Sequence, residues 1–351
     1  MIIKKAAVLF ETKKSLKIVE NIICPTLASG QLFVEIAFSG VCRSQLMEAQ
    51  GLRGEDKYLP HMLGHEGTGT VLETGPGVTK FKRGDKVVLG WIKGSGIDAG
   101  GVKYQKDGIQ INAGPVTTFS THAIVSENRC CLLPEGIPMD VAVLLGCAVP
   151  TGAGIIINQI NPASGKSIAL FGLGGIGISA LMATKLYDFK KVIAVDVEQR
   201  KLDLALELSA TDIINSSTEE PVKKILELTD GKGTDYSVDA SGQALVTEQA
   251  FGSVRTGGGL CIFASHPDSR ERICLDPLDF HKGRNIMGSW GGTSILDRDI
   301  PRFAKLYLEG RLPLEKLLDA RYSLENINQA LYDLDAHRIT RALIEINKDI
   351  A

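Results

Sequence analysis

Two sets of residues in this chain have the types and spacing to do chemistry. The first is Gly172-Leu173-Gly174-Gly175-Ile176-Gly177. It lies between an apolar run at 168–171 and an Ala-rich helical pattern reaching Leu186; a second apolar run, 192–195, is closed by Asp196. Strand, glycine turn, helix, strand and an acidic residue about twenty positions on form the context in which G-x-G-x-x-G signals dinucleotide binding. Gly172 makes the tight turn, and Gly174 lets the backbone approach a pyrophosphate. Gly175 and Ile176 open the helix whose N-terminus faces the negative charge, and Gly177 lets that helix pack on the strand. Asp196 accepts hydrogen bonds from the adenosine ribose hydroxyls, which favours NAD over NADP.

The second set is Cys42 in Gly-Val-Cys-Arg-Ser, His65 in Gly-His-Glu-Gly-Thr-Gly and Cys147 in Gly-Cys-Ala-Val-Pro-Thr-Gly. Two thiolates and one imidazole suit Zn²⁺, and three protein ligands leave a fourth position for water or substrate. Ligands this far apart meet only in three dimensions. Spacing therefore leaves open two buried thiols and a satisfied core histidine.

The elements that must position these residues follow from periodicity. At 351 residues the chain suggests about two domains. The first 150 residues read as mainly β, with strand-like runs at 8–10, 16–19, 31–38, 67–73, 86–89 and 121–125 separated by Gly, Pro and charged turns. From about Thr151, strands alternate with helices: strands at 236–239, 260–263 and 286–290, helices at 202–208 and 222–228. That alternation predicts a doubly wound parallel sheet. After Trp290 come two amphipathic helices, the second carrying Leu324, Ile327, Leu331 and Leu334, and a final strand at 341–346. This tail returns to the first domain and makes it discontinuous.

Composition narrows the partners. A formal net charge of −2 gives no electrostatic reason to expect nucleic acid or an anionic membrane. The opening MIIKKAAVLFETKKS reads as a first strand rather than a signal peptide. The long apolar window 141–157 is broken by Gly146, Pro150, Gly152 and Gly154, so it reads as a buried helical segment with a break, not a membrane span. Seven cysteines without framework spacing fit a reducing cytosol, hence a cytoplasmic protein.

GVCRS, GHEGTG, GDKVV and GCAVPTG, followed by GLGGIG, IAVD, GRNIMGSWGG and ITRALIEI, resemble the zinc-dependent alcohol dehydrogenases of the medium-chain dehydrogenase/reductase superfamily over nearly the whole chain. The resemblance implies a Rossmann NAD-binding domain, 150–291, inserted in a mainly-β GroES-like catalytic domain formed by 1–149 and 292–351. It makes Cys42, His65 and Cys147 the zinc ligands, with Glu66 a neighbour that can approach the metal. Ser44 matches the hydroxyl that hydrogen-bonds the substrate oxygen. Arg43 and Arg341 match arginines that pair with the cofactor pyrophosphate, and Lys201 a lysine near the adenosine ribose. Thr151 falls beside the nicotinamide and Trp91 on the substrate-pocket wall. A homodimer or homotetramer acting on a small alcohol or carbonyl compound is implied as well.

Three positions depart from that pattern. Trp91–Pro115 lacks the four cysteines that hold a second, structural zinc in many members, so one catalytic zinc is expected. Gln45 stands where an acidic residue usually supports the metal ligands. Met47 replaces a histidine that passes protons to solvent in some members. These departures keep two other readings in view: a dehydrogenase or reductase of a polyol, amino-cyclitol or activated sugar, and a non-catalytic NAD-binding scaffold.

Overall fold

The computed structural model describes residues 1–350 in two compact units. The first comprises Met1–Pro150, Ile295–Gly310 and Leu314–Ala351, with its last residue left aside; the second comprises Thr151–Ser294 and Arg311–Pro313.

The first unit is built from a small closed barrel and a seven-stranded sheet. The barrel runs Ile2–Leu9, Lys17–Ile23, Val102–Lys106, Ile109–Ala113 and His61–Met62. The sheet is centred on Gln31–Val41, a strand whose β-branched and aromatic residues are buried almost throughout. Beside it lie Gly67–Thr74, then Lys86–Leu89 and Cys130–Leu132; on its other side are Ala342–Glu345 and Ala320–Ser323, and His122–Ser126 also pairs with it. The returning C-terminal segment thus supplies two strands of this sheet.

The second unit holds a six-stranded, all-parallel sheet in the order Asp212–Asn215, Phe189–Asp196, Lys166–Phe171, Tyr236–Asp239, Leu260–Phe263, Asn285–Gly288. In chain order this is 3-2-1-4-5-6, the doubly wound arrangement whose strand order reverses beside the first strand. Helix Gly175–Thr184 follows that strand; Gln199–Leu208, Pro221–Leu228 and Ala244–Ser253 form the later crossovers.

Several details differ from the sequence reading, among them the short strands His61–Met62, Cys130–Leu132 and Ala320–Ser323. The glycine-rich stretch after Trp91 contains a hairpin, Val102–Lys106 with Ile109–Ala113, turned by Asp107 and Gly108, both at positive φ. The edge strand Asp212–Asn215 is an extra, short strand, four residues long and only half-buried except at Ile214. No single helix among the described residues is long and apolar enough to cross a membrane. The apolar window breaks at Cys147, between the turn Val143–Gly146 and helix Ala148–Gly154.

Candidate active site and its metal-ligand cluster

Sheet register creates the cluster. In the first unit Ser39 pairs with Gly67, and Gly67 pairs with Leu89, so three neighbouring strands reach one level side by side. Just beyond that level Gln31–Val41 delivers Cys42, the N-cap of helix Arg43–Ala49. His65 and Glu66 lead into Gly67–Thr74 at the same end. Cys147 follows Gly146, whose α-carbon packs so closely on Leu89 that a Cβ would lie 2.2 Å from the Leu89 carbonyl oxygen. Ala342 pairs with Val41 on the far side, which brings Arg341 to the same row.

One ligand atom from each of Cys42, His65 and Cys147 lies within 4.8 Å of the others, and His65 Nε2 is 3.3 Å from Cys147 Sγ. A hydrogen bond from the Cys147 thiol and the nearness of His65 hold Cys42 well below the usual thiol range, against the pull of burial. Its partner Cys147, which donates that hydrogen bond and is also buried, stands well above it. Burial depresses the His65 imidazole, but contact with Cys42 more than restores it, leaving it above its ordinary value. One thiolate, a second thiol and an imidazole converging on one point are the donor set of a divalent, borderline-soft cation.

Around the cluster sit buried polar atoms without partners, which are uncommon in a protein interior. Ser44 Oγ, Glu66 Oε2 and Arg341 Nε are such atoms. The Glu66 carboxylate is wholly buried and its Oε1 accepts from Arg341 Nη2. Gly40 makes room for it, since a Cβ there would come within 2.6 Å of Oε1. Burial raises Glu66, with the Arg341 charge opposing. Arg341 stays a guanidinium: burial pulls it down, and the Glu66 carboxylate with the two sulfurs outweighs burial. The family resemblance implies a pyrophosphate partner for Arg341; in the structure the residue is 3 % exposed and its guanidinium is engaged by Glu66.

The remaining first-unit residues divide by exposure. Gln45 is buried, Met47 and Trp91 are half-buried, and Arg43 is exposed at the start of helix Arg43–Ala49. The Trp91 carbonyl accepts from Arg129 Nη1. Gln45 Nε2 lies 2.9 Å from His65 Nδ1, so the residue that departs from the family pattern touches a candidate ligand directly.

In the second unit Gly172 has φ +81°, a left-handed turn that favours glycine. A Cβ on Gly174 would meet nothing within 4 Å, whereas one on Gly177 would sit 1.9 Å from the Gly172 carbonyl oxygen. Gly175 and Ile176 form the first turn of helix Gly175–Thr184. Asp196 Oδ2 accepts from Leu173 N at 2.6 Å and its Oδ1 from Glu198 N at 2.9 Å, with Lys201 Nζ 3.8 Å away. Thr151 is buried on helix Ala148–Gly154.

Sequence reasoning misses a second convergence in the first unit, Glu48, Asp56 and His61, whose ligand atoms also lie within 4.8 Å. The signal available was modest: Glu48 stands one helical turn after Gln45, on the same face of helix Arg43–Ala49.

A parallel-sheet unit of Rossmann order and a β unit bearing a thiol–thiol–imidazole cluster, joined in one chain, define a metal-type dehydrogenase of the medium-chain class. The comparisons with known proteins agree. Residues 28–135 match the alcohol dehydrogenase GroES-like domain, and residues 175–309 match the zinc-binding dehydrogenase family. Alcohol dehydrogenase class-P of Arabidopsis thaliana is 27 % identical over 354 residues, with 93 % of each chain covered. Alcohol dehydrogenase class-3 of Myxine glutinosa is 27 % identical with 97 % of each covered. Among solved structures, the benzyl alcohol dehydrogenase of Acinetobacter calcoaceticus gives a TM-score of 0.87 at 27 % identity, with 99 % of each chain covered. The chain belongs to the zinc-type alcohol dehydrogenases of the medium-chain dehydrogenase/reductase superfamily, and it is an alcohol oxidoreductase.

Proposed function

We infer that this enzyme interconverts a primary or secondary alcohol and its aldehyde or ketone with NAD(H), using one zinc ion held by Cys42, His65 and Cys147. The observation that carries the reading is the convergence of two sulfurs and an imidazole within 4.8 Å, with unpartnered Ser44 Oγ and Glu66 Oε2 nearby. When bound, zinc supplies the Lewis acidity that makes a hydroxyl acidic or a carbonyl electrophilic, and the nicotinamide carries the hydride.

The chain's own residues bind, orient and move the proton. Ser44 Oγ has a lone pair for the alcohol proton and a proton to pass on, and no protein group competes for it. Met47 offers only a thioether, so it cannot take the proton on from Ser44 as a side-chain base would. Glu66 is the neighbour able to approach the metal. Arg43, exposed and always charged, suits a pyrophosphate, and Arg341 keeps an unpartnered Nε for the same role. Two backbone N–H groups hold the Asp196 carboxylate, yet a carboxylate has about four lone-pair sites, so acceptor capacity remains for a ribose diol. Lys201 stands beside it, and the open face at Gly174 suits a pyrophosphate. Thr151 borders the nicotinamide and Trp91 the substrate in this reading.

Gln45 is directed at protein groups on all sides, which favours a simple alcohol over a polyol, amino-cyclitol or activated sugar that a free amide would recognise. In the proposed enzyme a GroES-like catalytic part, 1–149 and 292–351, is interrupted in sequence by an NAD-binding part, 150–291. A homodimer or homotetramer in the cytoplasm completes the proposal. Its support is the open edge strand Asn285–Gly288 with exposed Met287 nearby Leu278 and Phe280 in sequence, and cysteines that form no disulfide.

Initial rates followed by NADH absorbance over a panel of aliphatic alcohols, benzyl alcohol and polyols, with NAD and NADP, test the reading. It expects alcohol turnover with NAD at least about tenfold more efficient than with NADP, the cost of a 2′-phosphate against Asp196 being at least about 1.4 kcal/mol. Equal efficiency with both cofactors, or turnover of polyols alone, overturns it.

A further inference from the structure

Gln45 is 4 % exposed, and its carboxamide meets a protein group in every direction. The Gly64 N–H points at Oε1. A backbone N–H only donates, so the amide oxygen must face Gly64 and the NH₂ group must face the other way. That sets Nε2 2.9 Å from His65 Nδ1 and 3.4 Å from Glu48 Oε2. One N–H serves the Glu48 carboxylate and the other serves Nδ1, which must then accept through its lone pair.

A neutral imidazole has one proton and one lone pair on its two nitrogens. With the lone pair at Nδ1, the proton is at Nε2, the nitrogen 3.3 Å from Cys147 Sγ. A metal on Nε2 needs the opposite tautomer, with an N–H at Nδ1 aimed at the N–H of Gln45. An imidazolium meets the same conflict. Turning the amide over does not relieve it. The clash then moves to Gly64 N–H, and Oε1 is left against the Glu48 carboxylate. A carboxylate in place of the amide would accept from Gly64 and from His65 Nδ1–H at once, one oxygen for each.

We propose that Gln45 is a positioning residue which, fixed by Gly64 and Glu48, favours the His65 tautomer protonated at Nε2. Metal at the Cys42–His65–Cys147 cluster is consequently held less tightly than an acidic residue at position 45 would hold it. This rests on the metal reading given above. The residue that inverts the arrangement at constant charge is Glu48: exchanging the two, Gln45→Glu with Glu48→Gln, moves the carboxylate next to His65 and leaves the new amide to donate to it.

The test has two arms. In metal-stripped wild-type protein, ¹⁵N NMR of labelled histidine, with the His65 signals assigned by their loss in His65→Asn, should show the proton on Nε2. In the exchanged protein it should sit on Nδ1. Zinc affinity measured by chelator competition should rise about 10- to 100-fold in the exchanged protein, the size of effect expected for a group that orients a metal-bound histidine. A wild-type His65 protonated on Nδ1 overturns the proposal, as does an exchanged protein whose zinc affinity stays within about twofold of wild type. Should the exchanged protein fail to fold, the wild-type tautomer alone decides. Failure of both proteins to take up zinc at all overturns the metal assignment instead, whatever the tautomer.

Discussion

The first unit contains two convergences of metal-ligating side chains, Cys42–His65–Cys147 and Glu48–Asp56–His61, and they are opposite in character. The second is closed upon itself. Each ring nitrogen of His61 faces an oxygen, Met62 O at 3.1 Å and Asp56 Oδ2 at 2.7 Å. Asp56 Oδ1 accepts from Tyr58 N, and Glu48 lies 3.9 Å from His61 and 4.0 Å from Arg53. Each of its three ligating side chains already has a polar neighbour inside the protein. The first holds two sulfurs, one imidazole and a fringe of buried atoms without partners. Matched polar groups hold a fold together, whereas unmatched buried ones mark where something else is to bind.

That contrast can be sharpened by mutation. Ser44→Ala removes an unpartnered hydroxyl beside the open cluster. It should lower kcat by about two to four orders of magnitude, the range for a positioned acid–base group, and leave the melting temperature and zinc content as they were. Steady-state rates with deuterated alcohol, together with a thermal melt, check both halves. An unchanged kcat on a substrate with a deuterium isotope effect removes Ser44 from the reaction.

The closed cluster should respond the other way. His61→Ala takes the partner from Asp56 Oδ2 and should cost about 1–3 kcal/mol of stability by denaturant unfolding. One zinc per chain should be retained. Loss of zinc at unchanged stability would reverse the roles given to the two clusters.

A third polar knot extends the comparison to the region without the cysteine lobe. Glu127 Oε1 accepts from Thr79 N and Lys80 N, and its Oε2 from Ile97 N. Burial would raise this carboxyl, but the three backbone N–H groups outweigh it and hold it below the usual range. A depressed folded-state pKa contributes stability above the unfolded carboxyl's range and loses it as pH falls through the folded value. Glu127→Gln should therefore cost about 1–2 kcal/mol at pH 7, and the difference from wild type should shrink under acid. Urea melts at pH 7 and in acid give the sign. A cost that grows on acidification contradicts it.

What the sequence discloses depends on how local the signal is. The Rossmann order is legible because the glycine turn, its flanking strand and helix, and Asp196 all fall within one short stretch. The cluster is different: Cys42 and His65 are met by Cys147 from 82 residues beyond His65, and only the register Ser39–Gly67–Leu89 draws them to one end of the sheet. Motif resemblance named these residues where spacing did not. The hairpin at Val102–Lys106 and Ile109–Ala113 had a local signal, alternation around Asp107-Gly108, masked by the surrounding glycines. The Glu66–Arg341 pair had none, because 275 residues separate its members. The conflict at Gln45 needs the direction of the Gly64 N–H, which no sequence pattern carries.

The most direct test of the central claim is zinc per chain by elemental analysis, in wild-type protein and in Cys147→Ala. The account predicts one zinc in the first and none in the second, with alcohol oxidation lost alongside it. No zinc in the wild type, two per chain, or a Cys147→Ala protein that keeps both its metal and its turnover would contradict it.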